Sequence, residues 1–117
     1  MPWELDSDRP IYTQIVDRLK HEIVSGFYPP GSRLPSARDL AAQASVNPNT
    51  MQKAFTELER TGLIVTRRTS GRTVTEDTAL IEQVRSELAE LQISQFLTRM
   101  QHLGYQKDDS IRLLLAK

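Results

Sequence analysis

The sequence predicts a mainly α-helical fold with one small β-hairpin, a compact body over residues 1–75 and a helical tail over residues 76–117. Three observations carry that prediction. Apolar residues recur at helical spacing in several separate stretches. Two of those stretches begin with strong helix-start signals and are separated by a very short turn. Two β-branched segments then flank a polar loop containing Gly71, the pattern of a hairpin.

Each element can be justified in order. Asp8-Arg9-Pro10 opens the first helix, since proline has no N–H to leave unsatisfied in a first turn. Ile11, Ile15, Leu19 and Ile23, with Tyr12 and Val16, form its apolar side, and Gln14, Asp17, Arg18 and His21 are expected on the polar side. Gly26 stops the helix, and Phe27-Tyr28-Pro29-Pro30-Gly31 reads as a rigid turn whose two rings are expected to pack on the core.

Ser36-Ala37-Arg38-Asp39 has the form of a capping box, a hydroxyl followed three residues later by a carboxylate. It starts a short helix carrying Leu40, Ala41 and Ala44. Asn47-Pro48 starts the next, with an asparagine cap and proline at the first helical position. Met51, Ala54, Phe55 and Leu58 are its inward stripe, and Gly62 ends it. Residues 63–66 and 73–75 are the expected strands, joined through the polar run from 67 to 72. Glu76-Asp77 marks a boundary. In the tail, Ile81, Val84, Leu88 and Leu91 repeat at 3-4-3 spacing, and Phe96, Leu97, Met100 and Leu103 extend the apolar surface to Gly104. Asp108-Asp109-Ser110 is expected to cap a last short helix with Ile111, Leu113, Leu114 and Leu115.

The short connection between Ala44 and Asn47 forces two helices to cross steeply, the helix-turn-helix arrangement, and the hairpin makes it a winged one. The small Ala41 side chain suits a close crossing. With Met51 facing inward, a step of about 100° per residue places Asn49, Gln52, Lys53 and Thr56 on the outer half of the helix. Asparagine and glutamine can pair bidentately with adenine in the major groove, while lysine and threonine can reach guanine or phosphate. Arg67, Arg68 and Arg72 form the densest basic group in the chain, positioned to lie along the DNA backbone or the adjacent groove. Double-stranded DNA is therefore the expected partner.

The string Pro10-Ile11-Tyr12-x-Gln14-Ile15 is one of four ordered motifs. The second is Pro30-Gly31-Ser32-Arg33-Leu34-Pro35-Ser36-Ala37-Arg38-Asp39-Leu40-Ala41, and the third is Val46-Asn47-Pro48-Asn49-Thr50-Met51-Gln52-Lys53-Ala54-Phe55. The fourth is Leu58-Glu59-Arg60-x-Gly62-Leu63-Ile64. Together they resemble the GntR family of bacterial regulators over residues 9–75, and the Asn-Pro-Asn-Thr segment with the short tail is similar to its YtrA subfamily. The resemblance implies a phosphate contact from Arg38, recognition-helix positions at Asn49, Thr50 and Gln52, and Gly71 at the wing tip. Arg33, Ser36 and Asn47 complete the expected DNA-binding set. Many relatives outside this subfamily carry arginines where Pro48 and Gln52 stand. Relatives also usually have a second wing glycine and a following aromatic residue, where this chain has Thr69 and Thr73.

Charge and composition fit that reading only through their distribution. The 15 basic and 15 acidic residues cancel, which by itself offers no general attraction to phosphate. Residues 1–75, however, hold 10 Lys and Arg against 8 Asp and Glu, and residues 76–117 hold 5 against 7. The chain has no cysteine, so disulfides and thiolate metal sites are excluded. With no signal-peptide pattern and no apolar run of about 20 residues, a cytoplasmic protein free of the membrane is expected.

His21 and His102 lack a neighbouring acid at catalytic or ligand spacing, and no phosphate-cradling glycine loop is present. Neither an enzyme nor a metal or cofactor site is expected. A winged helix used to bind protein would expose apolar anchors on the third helix, where none stands. The tail stripe of Ile81, Val84, Leu88, Leu91, Phe96, Leu97 and Met100 is expected to mediate homodimerisation, which matches an inverted-repeat operator. The resemblance implies a regulator, repressing by promoter occlusion and controlling transporter genes. The tail is too small to enclose a ligand, so a small-molecule effector would bind at the dimer interface or between tail and winged body.

Overall fold

A computed structural model describes residues 3–117. The element order is α1 (Ile11–Val24), α2 (Ala37–Ala44), α3 (Pro48–Thr61), β1 (Ile64–Arg67), β2 (Gly71–Val74), α4 (Thr78–His102) and α5 (Lys107–Leu115). The predicted class, mainly helical with one antiparallel hairpin, is the one observed. The chain divides into two compact units, Met1–Val84 and Arg85–Lys117.

In the first unit, α3 packs against α1, α2 and β1. Its buried stripe of Met51, Ala54, Phe55 and Leu58 meets Ile15, Leu19 and Ile23 of α1 and Leu40, Ala41 and Ala44 of α2 in one core. Leu63, Ile64, Val74 and Ile81 complete that core. Burying a side chain the size of Phe55 contributes about 1.5–3 kcal/mol.

The hairpin pairs Ile64 with Val74, Val65 with Thr73, Thr66 with Arg72 and Arg67 with Gly71. Residues 31–34 extend it along its open edge. Leu34 N–H donates to the Arg72 carbonyl (2.9 Å), Val74 N–H to the Ser32 carbonyl (2.9 Å) and Gly31 N–H to the Val74 carbonyl (3.0 Å). Thr73 is buried by this arrangement. The first strand thus runs one residue closer to the tip than expected and the second begins two residues closer, leaving residues 68–70 as the turn. Gly71 therefore sits in the first residue of β2 with φ +73°, beside the tip rather than at it.

Other expectations are corrected by what the chain packs against itself. Gln14 is buried on the inner side of α1, because its amide binds the main chain of the N-terminal arm. Phe27 is 68% exposed and meets Tyr28 edge-on at 4.9 Å instead of entering the core. Pro10 is the N-cap of α1, one position outside the helix.

In the second unit, α4 ends in a Schellman motif. Tyr105 N–H reaches the Met100 carbonyl (3.0 Å) and Gly104 N–H the Gln101 carbonyl (2.9 Å), with Gly104 at φ +99°. The last helix starts at Lys107, earlier than the sequence suggested. Gln106 and Asp109 form a reciprocal capping box, which makes Asp108 and Asp109 first-turn residues. No helix among the described residues is long and apolar enough to cross a membrane.

Candidate nucleic-acid interface

The first component is the start of α2. Ser36 is extended (φ −65°, ψ 158°), and its hydroxyl accepts the Asp39 N–H at 3.1 Å. The helix N-terminus gathers unpaired N–H groups and a partial positive charge, an arrangement suited to phosphate. Arg38 is exposed in this turn, and Arg33 is exposed just before it.

The turn between α2 and α3 is a second Schellman motif. Val46 N–H bonds to the Ala41 carbonyl (3.0 Å) and Ser45 N–H to the Ala42 carbonyl (3.3 Å). Ser45 occupies the left-handed region (φ 58°, ψ 46°) that glycine usually fills at this position. Asn47 then caps α3, its Oδ1 accepting the Asn49 N–H at 2.7 Å, with Pro48 in the first turn. Ser36 and Asn47, both expected to touch DNA, use their side-chain oxygens to shape the helix starts.

On α3, Asn49, Gln52, Lys53 and Thr56 are all exposed opposite the buried stripe, as the helical period requires. Thr50 is half-buried. Lys53 is not a loose cation, for its Nζ lies 4.0 Å from the centre of the Tyr12 ring.

The hairpin is fastened to α3 by one carboxylate that the sequence reading missed. Glu59 Oε1 accepts from Arg72 Nε at 2.7 Å, and Glu59 Oε2 accepts from the Thr66 hydroxyl at 2.8 Å. Thr66 and Arg72 are a cross-strand pair and so share one face of the hairpin. That face is apolar near the body, at Ile64 and Val74, and polar further out. Arg72 also donates from Nη1 to Gln52 Oε1 (3.2 Å) and lies over the Phe55 ring at 4.9 Å. Its side chain is only 21% exposed. Arg72 is thus a strut inside the interface, whereas Arg67 and Arg68 are exposed.

The start of α2 and the hairpin border a common groove of about 730 Å³, lined among others by Arg33, Ser36, Ala37, Thr66, Gly71 and Arg72. Tyr28 also faces it. Burial, reinforced by nearby Glu22, pushes the Tyr28 hydroxyl above its ordinary pKa, so it stays neutral near pH 7.

The dimerisation set separates into two kinds. Ile81 is 5% exposed because the first unit already covers it, so it is a core residue. Val84, Leu88, Phe96, Leu97 and Met100 are half-buried, and Leu91 is 52% exposed. Ile93, Leu103, Tyr105, Ile111, Leu113, Leu114 and Leu115 are also exposed.

The family model for bacterial regulatory proteins of the gntR family matches residues 11–74. The HTH-type transcriptional repressor YtrA of Bacillus subtilis is 39% identical over 100 residues, 84% of this chain and 76% of that protein. A GntR family transcriptional regulator from Listeria monocytogenes has a similar structure, with a TM-score of 0.86 and 40% identity over 97% of this chain and 99% of that one. The AraR DNA-binding domain in complex with operator ORX1 gives a TM-score of 0.55 and 25% identity over 64% of this chain and 92% of that one. These relatives are transcriptional regulators and not enzymes. On its fold, its motifs and this family match, the chain belongs to the GntR family of DNA-binding transcriptional regulators and is of the YtrA type.

Proposed function

We propose that the chain is a cytoplasmic repressor that binds double-stranded DNA as a homodimer, each protomer placing α3 in one of two successive major grooves of an inverted repeat. The observation that carries this reading is the polar outer face of α3, held by the Glu59 carboxylate at a fixed position against a hairpin with two exposed arginines. Residues 1–75 form the DNA-binding part and residues 76–117 the dimerisation part. Asn49, Thr50, Gln52 and Lys53 face the bases, while Arg33, Arg38, Arg67 and Arg68 meet phosphates. Ser36, Asn47, Gly71 and Arg72 act by shaping the elements that carry those contacts. The operator-bound AraR domain supports duplex DNA as the partner, and the repressor YtrA supports repression.

Dimerisation is supported by the apolar residues left uncovered on α4 and α5, from Leu91 and Ile93 to Leu113, Leu114 and Leu115. So many exposed large side chains call for a partner surface, and a second copy also supplies the two-fold symmetry of an inverted repeat. By family resemblance, transporter genes are the regulated set, and a small-molecule effector would act through the dimer. The test is selection of binding sites from a random duplex pool by the purified chain at two salt concentrations. An enriched inverted repeat is expected. Weak, strongly salt-dependent binding without enrichment, or a single unrepeated half-site, refutes the dimeric operator reading.

A further inference from the structure

Glutamine on a recognition helix is ordinarily free to pair with adenine, accepting from N6 and donating to N7. Gln52 is not free in that way. Its carbonyl oxygen accepts from Arg72 Nη1 at 3.2 Å, and Arg72 is itself held by Glu59 Oε1 at 2.7 Å and by the face of the Phe55 ring. Gln52, Phe55 and Glu59 are spaced at i, i+3 and i+7, so all three meet the same strand residue. Swinging Arg72 out to a phosphate would leave Glu59, with only 31% of its side chain exposed, without its counter-charge. The guanidinium therefore stays in place, taking one of the two acceptor positions of the Gln52 oxygen and disfavouring the approach of an amino group to the other through its positive charge.

We infer that Arg72 is a specificity-setting positioning residue, turning the Gln52 amide nitrogen outward so that α3 reads guanine rather than adenine at that base. Guanine is favoured because its major-groove edge carries two acceptors, N7 and O6. The inference rests on the DNA-binding reading above and deepens it by naming the base class at one half-site position.

The experiment compares the full chain with Q52A, R72M and the double variant in site selection from a random duplex pool. Thermal melting and salt dependence are measured on the same samples. Methionine keeps apolar packing over Phe55 and removes the donor. The position read by Gln52 is the one whose preference disappears in Q52A. There the wild-type chain selects guanine, and R72M moves the preference toward adenine by about tenfold. All other positions and the salt slope stay unchanged, and the double variant matches Q52A at that position. An R72M chain that loses affinity equally for all sequences, with a lower melting temperature, assigns Arg72 a purely structural role and overturns the inference. A salt slope reduced by about one assigns it a phosphate contact and does the same. Should R72M not fold, wild-type affinity for guanine and adenine duplexes at that position decides, and an adenine preference overturns the inference. A wild-type chain that enriches no site at all refutes the DNA-binding reading itself.

Discussion

Replacing Ser45 by glycine should make the protein more stable. Ser45 is the one described non-glycine residue with positive φ, at φ 58° and ψ 46° in the turn between α2 and α3. An L-residue in this region incurs about 1–2 kcal/mol from the contact of Cβ with the following carbonyl. Glycine removes that cost but loses more backbone freedom on folding, about 0.5–1 kcal/mol. Ser45 contributes only its main-chain N–H to the Schellman motif, and glycine retains it. The net gain for Ser45→Gly is then about 0.5–1 kcal/mol, a rise in melting temperature of roughly 2–8 °C for a domain of this size. Urea denaturation should show a higher midpoint with an unchanged slope. A lower midpoint would refute the reasoning, because it would mean that the hydroxyl contributes more than the left-handed backbone costs.

The opposite change at the end of α3, Gly62→Ala, should cost about 1 kcal/mol in the same denaturation assay. Gly62 has φ +88°, and an added Cβ would stand 3.3 Å from Leu80 Cδ2. Arg38→Ala should weaken binding to all duplexes alike and reduce the slope of log K against log salt by about one; an unchanged slope removes the phosphate contact. Asp at both Leu88 and Leu91 should give monomers in sedimentation velocity while the winged body keeps its melting transition. Dimers surviving that change would place the interface elsewhere.

What could be read from the sequence was set by local rules. Ser36 and Asn47-Pro48 announce the starts of α2 and α3 because capping needs only residues within one turn. The stripe of Met51, Ala54, Phe55 and Leu58 follows from helical period alone. Gln14 reads as a surface residue because its residue type outweighs its position, three residues from Ile11 and one from Ile15. Its burial depends on main-chain partners on the preceding arm, which no periodicity reveals. The role of Arg72 was hidden for a similar reason. Its partner Glu59 lies 13 residues away on another element, and a basic hairpin residue looks the same in sequence whether it faces phosphate or a carboxylate. Ile81 matches the dimer stripe in spacing, but the first unit covers it.

The attachment of the N-terminal arm has a consequence for how the protein responds to its surroundings. Gln14 Oε1 accepts the Asp6 N–H at 2.7 Å, while its Nε2 donates to the Asp6 carbonyl at 2.8 Å and to the Arg9 carbonyl at 3.1 Å. One neutral amide thus pairs with Asp6 as a neighbouring strand residue would. Ionic strength screens charged contacts but leaves such bonds almost untouched, and no titratable group takes part in them. Raising the salt concentration until phosphate contacts fail should therefore leave the arm seated on α1, so that release from DNA and loosening of the arm are separate events.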